Sequence, residues 1–160
     1  MSYDIDEVIE EEIDFPWLIF KLNDSLYTLN SKFITSIVIK PDEITYVPKV
    51  SDYLNGLIHL RGNVVPLIDL KILFKMPALN DLSANDKKEK KEMVVVLEKD
   101  NSFAGLIVDE VLSVENITSF EETEEIKKMC RDGFVKGVAK GNKNEDILLI
   151  IDEEKIINIA

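Results

Sequence analysis

The chain has 160 residues, 46% of them hydrophobic and 31% charged, which is typical of a folded globular protein of one domain or of two small lobes sharing a core. Lys and Arg total 19 against 31 Asp and Glu, a formal charge of −12, and this excess of acids argues against a nucleic-acid or anionic-membrane partner. The single cysteine excludes an internal disulfide, and we find neither a signal peptide nor an apolar run of about 18 residues. We therefore expect a cytoplasmic protein.

The amino-terminal segment, residues 1–14, is dominated by acidic residues. A run of like charges repels itself, so we expect a flexible arm. Such an arm either attracts a basic partner or only keeps the protein in solution. We expect residues 15–160 to form one folded domain with two lobes.

Short apolar runs separated by turn residues predict β-strands through the first half of this domain. The predicted strands are Trp17 to Leu22, Leu26 to Leu29, Phe33 to Lys40, Gly56 to Leu60 and Val64 to Leu70. Arg61 to Asn63 should form the turn between the last two. Because Pro66 cannot donate a hydrogen bond within a sheet, its strand should lie at a sheet edge or carry a bulge. One helical turn is expected from Asp69, and a solvated loop from Asn80 to Glu92.

The second half continues the same pattern, with one helix in the middle. The predicted strands are Met93 to Leu97, Phe103 to Val108, Val111 to Val114, Phe134 to Ala139 and Ile147 to Ile151. Ser119 to Met129 predicts a helix that Ser119 caps and Gly133 stops. Asp152 should cap a short helix after the last strand. About ten short strands predict a mainly β fold, a sandwich or two small five-stranded barrels.

Catalytic patterns are scarce in the sequence. His59 is the only histidine, which excludes a zinc site of several imidazoles. A triad of Ser36, His59 and Asp69 can be drawn on paper, but no nucleophile elbow accompanies it. The lone Cys130 lies near cations, and its simplest interpretation is an inert thiol. We predict no catalytic residue, no cofactor and no metal.

The stretch from Gly56 to Leu70 resembles the central signature of the CheW family of chemotaxis coupling proteins. That signature is a Gly, two apolar residues and Asn-Leu-Arg-Gly, followed by an apolar strand with Pro and then Asp-Leu. Supporting resemblances lie at Phe20 to Leu29, Phe103 to Val111, Phe134 to Val138 and Ile147 to Ile156. Together they extend the resemblance over Trp17 to Ile159.

The resemblance implies a CheW-like fold of two intertwined five-stranded β-barrels with a short C-terminal helix. It also implies an adaptor, not an enzyme, that bridges chemoreceptor tips and the regulatory domain of the CheA histidine kinase in membrane-associated arrays. Receptor contacts carried over from the family fall on Ile34, Ser36, Gly56, Ile58, His59, Arg61 and Gly62. Kinase contacts are expected at Met93, Val95 and Phe103.

Two departures from the family pattern lie in the expected receptor groove. Ser36 stands where the family often has Glu, and His59 stands at the signature Asn. Arg61 must then find another acceptor; it either contacts the receptor or only fixes the turn. Two other roles stay open: a CheW-like fragment of a larger signalling protein, and a small β-barrel enzyme.

Overall fold

The computed structural model describes residues 15–48, 51–77, 91–117, 120–121, 125, 128, 133–140 and 146–160. The strands are β1 (Trp17–Leu22), β2 (Ser25–Asn30), β3 (Ile34–Ile39), β4 (Leu54–Leu60), β5 (Asn63–Asp69), β6 (Met93–Lys99), β7 (Ser102–Val108), β8 (Glu110–Glu115), β9 (Phe120–Glu121), β10 (Val135–Lys140) and β11 (Ile147–Ile151). A 3-10 helix spans Ser31–Phe33, α1 spans Leu70–Leu73 and α2 spans Glu153–Ile159.

The strands form two sheets that take their strands from different parts of the chain. Sheet A has the order β8-β1-β2-β11-β10-β9, and sheet B has the order β3-β6-β7-β5-β4. Sheet B is therefore one continuous insertion between β2 and β8, and the chain crosses between the sheets before β3 and after β7. This arrangement confirms the mainly β fold of two intertwined units with a short C-terminal helix. The sixth strand of sheet A is the two-residue β9.

Three apolar clusters explain why so many strands carry apolar residues on both faces of their sheet. The central cluster packs residues of both sheets with both helices, and it includes Phe20 and Leu106. Trp17 and Ile19 belong to a second cluster, formed by strands of sheet A together with Ile117. Ile58 and Val96 belong to a third, the sheet B cluster. Alternate residues of β1 and β6 thus enter different clusters, as the two-residue period of a strand requires.

The predicted hairpin turns form where the sequence places small or polar residues. Arg61 (φ +51°) and Gly62 (φ +83°) connect β4 and β5, and Asp100 (φ +51°) and Asn101 (φ +64°) connect β6 and β7. Positive φ at both central residues is the property of type I′ turns, whose twist matches that of the flanking strands. Both predicted helix caps are confirmed. The Asp69 carboxylate accepts a hydrogen bond from the backbone N–H of Lys71 in α1, and the Asp152 carboxylate accepts one from a backbone N–H of α2.

Two sequence expectations are wrong. The sequence predicts an edge strand or a bulge for Pro66, but β5 has β4 on one side and β7 on the other, and the bulge of the β4–β5 pair lies on β4, between Leu54 and Gly56. The backbone of Leu57, opposite Pro66, exchanges two 2.9 Å hydrogen bonds with Thr45 instead of with β5. Pro66 therefore stands at a non-hydrogen-bonded position of the β4–β5 pair. Pairing with β7 begins only at Leu67, so the ladder needs no N–H from the proline.

The second wrong expectation is the start of the helix at Ser119. Phe120 and Glu121 form β9 and pair with Ala139 and Val138 of β10. Residues 125 and 128 are helical, and the other positions of the expected helix lie outside the described residues. The same holds for residues 1–14 and for most of the Asn80 to Glu92 loop.

Candidate functional site

The tip of the β4–β5 hairpin carries three of the residues that the family resemblance places at the receptor. His59, Arg61 and Gly62 are all exposed. His59 stands opposite Val64, which is also exposed, so the tip presents a mixed apolar and basic surface. The Arg61 side chain makes no hydrogen bond or ion pair with any residue that the structure describes, so the expected replacement acceptor is not found in that part of the chain.

Gly56 and Ile58, two other predicted receptor contacts, are buried. Ile58 is 6% exposed and belongs to the sheet B cluster. A Cβ at Gly56 would lie 2.3 Å from Ile44 Cγ2 and 2.7 Å from Thr45 O. The glycine is therefore required by the close approach of residues 44–45 to β4. Ile58 therefore has almost no exposed side chain and Gly56 has no side chain at all, and the receptor contact of both stays a prediction.

On β3, the predicted Ile34 and Ser36 are half-buried rather than exposed. Ile34 packs against the central cluster. A bulge at Thr35 shifts the register, since Ile34 pairs with Leu97 and Ser36 pairs with Val96. The exposed apolar side chains of this strand are Ile37 and Ile39 instead.

The two groups of predicted receptor residues lie on strands that are not hydrogen-bonded neighbours. β3 and β4 are the opposite edges of sheet B. Val38 of β3 and Leu60 of β4 both pack against the sheet B cluster, whereas Ile34 packs against the central cluster.

The predicted kinase contacts do not form one surface. Val95 is fully buried in the central cluster. Met93 packs against that cluster, whereas Phe103 packs against the sheet B cluster, so the two side chains lie on opposite faces of the β6–β7 hairpin. In the β3–β6 ladder, the exposed Ile39 stands opposite Met93 and the exposed Ile37 stands opposite Val95, but of these two only Met93 is itself partly exposed.

The sequence alone did not predict that the side chains of Ile37 and Ile39 are exposed. β3 reads Ile-Thr-Ser-Ile-Val-Ile, with apolar residues in both phases, so its sequence does not reveal which side chains point outward. The bulge at Thr35 and the position of β3 at the sheet edge decide which side chains are exposed.

Among the described residues, none of the helices has both the length and the apolar character that a membrane span requires.

Comparison with known proteins agrees with this fold. A family model described as the CheW-like domain matches residues 16–160. The chemotaxis protein CheW of Thermotoga maritima is 29% identical over 153 residues, covering 94% of this chain and 87% of that protein. The chemotaxis protein CheW of Klebsiella aerogenes is 24% identical over 156 residues, covering 96% and 88%.

Among solved structures, the scaffolding protein TtCheW from Thermoanaerobacter tengcongensis is similar, with a TM-score of 0.71 and 28% identity. The match covers 87% of this chain and 84% of that one. The family match spans residues 16–160 of the 160, and the relatives are matched over most of their own length. The chain belongs to the CheW family of chemotaxis coupling proteins.

Proposed function

We propose that this chain is a cytoplasmic coupling protein that holds chemoreceptor tips and the regulatory domain of the CheA histidine kinase in one array, and that it catalyses no reaction. The observation that carries the proposal is the family match over residues 16–160. The exposed apolar side chains on sheet B support it, because a protein whose work is binding needs apolar surface that its own core does not use.

For the receptor, we propose contacts at the β4–β5 hairpin tip and on β3. Arg61 and His59 supply hydrogen-bond donors at the tip, and Ile34 and Ser36 supply the half-buried floor. A receptor tip is a helical hairpin, so the mode is an amphipathic helix laid in a groove with apolar anchors and a polar rim. Arg61 has no partner among the described residues, which leaves its guanidinium able to pair with a receptor carboxylate.

For the kinase, we propose that the contact is centred on Met93 and extends to Ile39 and Ile37. Ile39 is 56% exposed and faces Met93 across the ladder. Apolar side chains that lie together on an edge strand are suited to another β-rich domain. The regulatory domain of the kinase is itself expected to be CheW-like, so two similar sheet edges would meet.

The kinase contact can be tested by calorimetric titration with the purified kinase regulatory domain. Wild-type protein should bind in the micromolar range or tighter, about −8 kcal/mol. Ile39→Glu should weaken binding at least tenfold, because it buries a charge in an apolar contact, and should leave the melting temperature nearly unchanged.

The matched control is Val114→Glu. Val114 is also 56% exposed, and it lies on β8, the edge strand of sheet A. We expect it to bind like the wild type. Equal losses in both variants would contradict a contact on sheet B, and no binding by a well-folded wild-type protein would contradict the kinase partner.

A further inference from the structure

Helix α2 connects the two sheets. It follows β11 of sheet A directly, yet it packs against β6 and β7 of sheet B. Ile156 and Ile157 place their side chains in the central cluster and are almost fully buried. The helix therefore covers one side of the apolar contact between the sheets.

The first residue of this helix is a buried acid. Glu153 is 1% exposed, although an acid in the first turn of a helix is ordinarily solvated. Its Oε1 accepts a 2.8 Å hydrogen bond from the backbone N–H of Asn30, and its Oε2 lies 3.8 Å from Lys136 Nζ. Both partners belong to sheet A, at the end of β2 and in β10. A buried carboxylate is costly unless it is bound in this way, so its contacts exist only while α2 is docked.

The next two residues of α2 are held by weaker, more exposed contacts. Glu154 pairs with Lys99 of β6, and this hydrogen bond is the main reason that the pKa of Glu154 is lowered, with Lys136 and Lys32 adding to it. Lys155 lies 5.3 Å above the ring of Phe134. Exposed pairs of this kind contribute little individually, so Glu153 is the strongest polar anchor of the helix.

The helix has seven residues, and a helix of that length is not stable in water without tertiary contacts. It is therefore either docked or unfolded. We propose that α2 is a strap, latched by Glu153, that opens locally while the two sheets stay folded, and that its opening uncovers the central cluster between them. This inference does not depend on the proposed partners.

Native-state hydrogen exchange tests the proposal on the intact chain. In Glu153→Ala, the amides of α2 should exchange about 10- to 100-fold faster, the effect of losing a hydrogen bond to a charged group. In the wild type, the amides of α2 should already exchange faster than those of β6 and β7, because a local opening of α2 needs less free energy than global unfolding. Glu154→Ala, the matched control on the exposed neighbour, should accelerate exchange no more than about fivefold.

Glu153→Gln keeps an acceptor for the Asn30 N–H but loses the charge that faces Lys136, and it is the variant to use if the alanine variant does not fold. It should accelerate exchange in α2 by an amount between those of the other two variants. Equal protection of the α2, β6 and β7 amides in the wild type would show that α2 opens only when the whole protein unfolds and would overturn the strap. Unchanged exchange in α2 would overturn the latch.

Discussion

Gly56→Ala should destabilise the protein more than Gly62→Ala, although both glycines belong to the same signature stretch. A Cβ at Gly56 would lie 2.7 Å from the backbone oxygen of Thr45, whereas one at Gly62 would meet nothing within 4 Å. At Gly62 the cost is the strain of an alanine at φ +83°, about 1 kcal/mol.

An alanine at Gly56 is also strained by the backbone, at φ +158°, and the rest of its cost follows from what must move. The obstacle is backbone, so residues 44–45 have to shift away from β4. That shift breaks the two 2.9 Å hydrogen bonds between Thr45 and Leu57, which contribute about 0.5–1.5 kcal/mol each. It also loosens the half-buried Ile44 from the sheet B cluster, at about 1 kcal/mol. The expected loss in the free energy of unfolding is about 2–4 kcal/mol.

Urea unfolding, followed by the fluorescence of the buried Trp17, measures both variants under the same conditions. We expect parallel transitions with the Gly56→Ala midpoint clearly below that of Gly62→Ala. Equal midpoints would refute the argument that the 44–45 segment makes Gly56 necessary.

Three further predictions concern the core and the charged contacts. Ile58→Asp should unfold the protein at room temperature, because it buries a carboxylate in the sheet B cluster. A circular dichroism melt close to that of the wild type would show that the Ile58 side chain is not buried. Lys99→Met should lower the melting temperature near neutral pH, and this difference should disappear in acid. The pKa of Glu154 is lowered from 4.5 by Lys99, so the stabilisation is present above that value and is lost as pH falls through the folded pKa; a pH-independent difference would contradict it. The Asp109 carboxylate accepts a 2.8 Å hydrogen bond from the backbone N–H of Asn23 and lies 2.5 Å from Lys71 Nζ. In a double-mutant cycle of Asp109→Ala and Lys71→Met, the coupling free energy between the two side chains should be about 0.5–1 kcal/mol. Additive losses of stability would show that the ion pair contributes nothing.

The fold was largely predictable because its signals are local. Alternating or continuous apolar runs, turn residues and the capping acids Asp69 and Asp152 locate nearly every strand and both helices. The errors arose where strand pairing decides the outcome. Pro66 is tolerated inside sheet B because the backbone of Leu57, opposite it on β4, forms its hydrogen bonds with Thr45 and not with β5. A single sequence does not carry that information.

The candidate site was less predictable for a related reason. Every strand of sheet B contains apolar residues in both phases, so the sequence does not separate the buried Ile58 and Val95 from the exposed Ile37 and Ile39. The resemblance predicts which strands and which hairpin tip bind the receptor, and that assignment stays a prediction. Assigning each side chain to a face required the bulge at Thr35 and the strand order. Glu153 was missed because an acid next to a helix cap is expected at the surface.

The coupling role is tested most directly by mixing a receptor signalling-tip fragment and the kinase regulatory domain with and without this chain, and measuring by size-exclusion chromatography whether the two co-elute. We predict that they co-elute only when this chain is present, and that Ile39→Glu releases the kinase domain while the receptor fragment stays bound. Separate elution in the presence of a folded wild-type chain would contradict the coupling role.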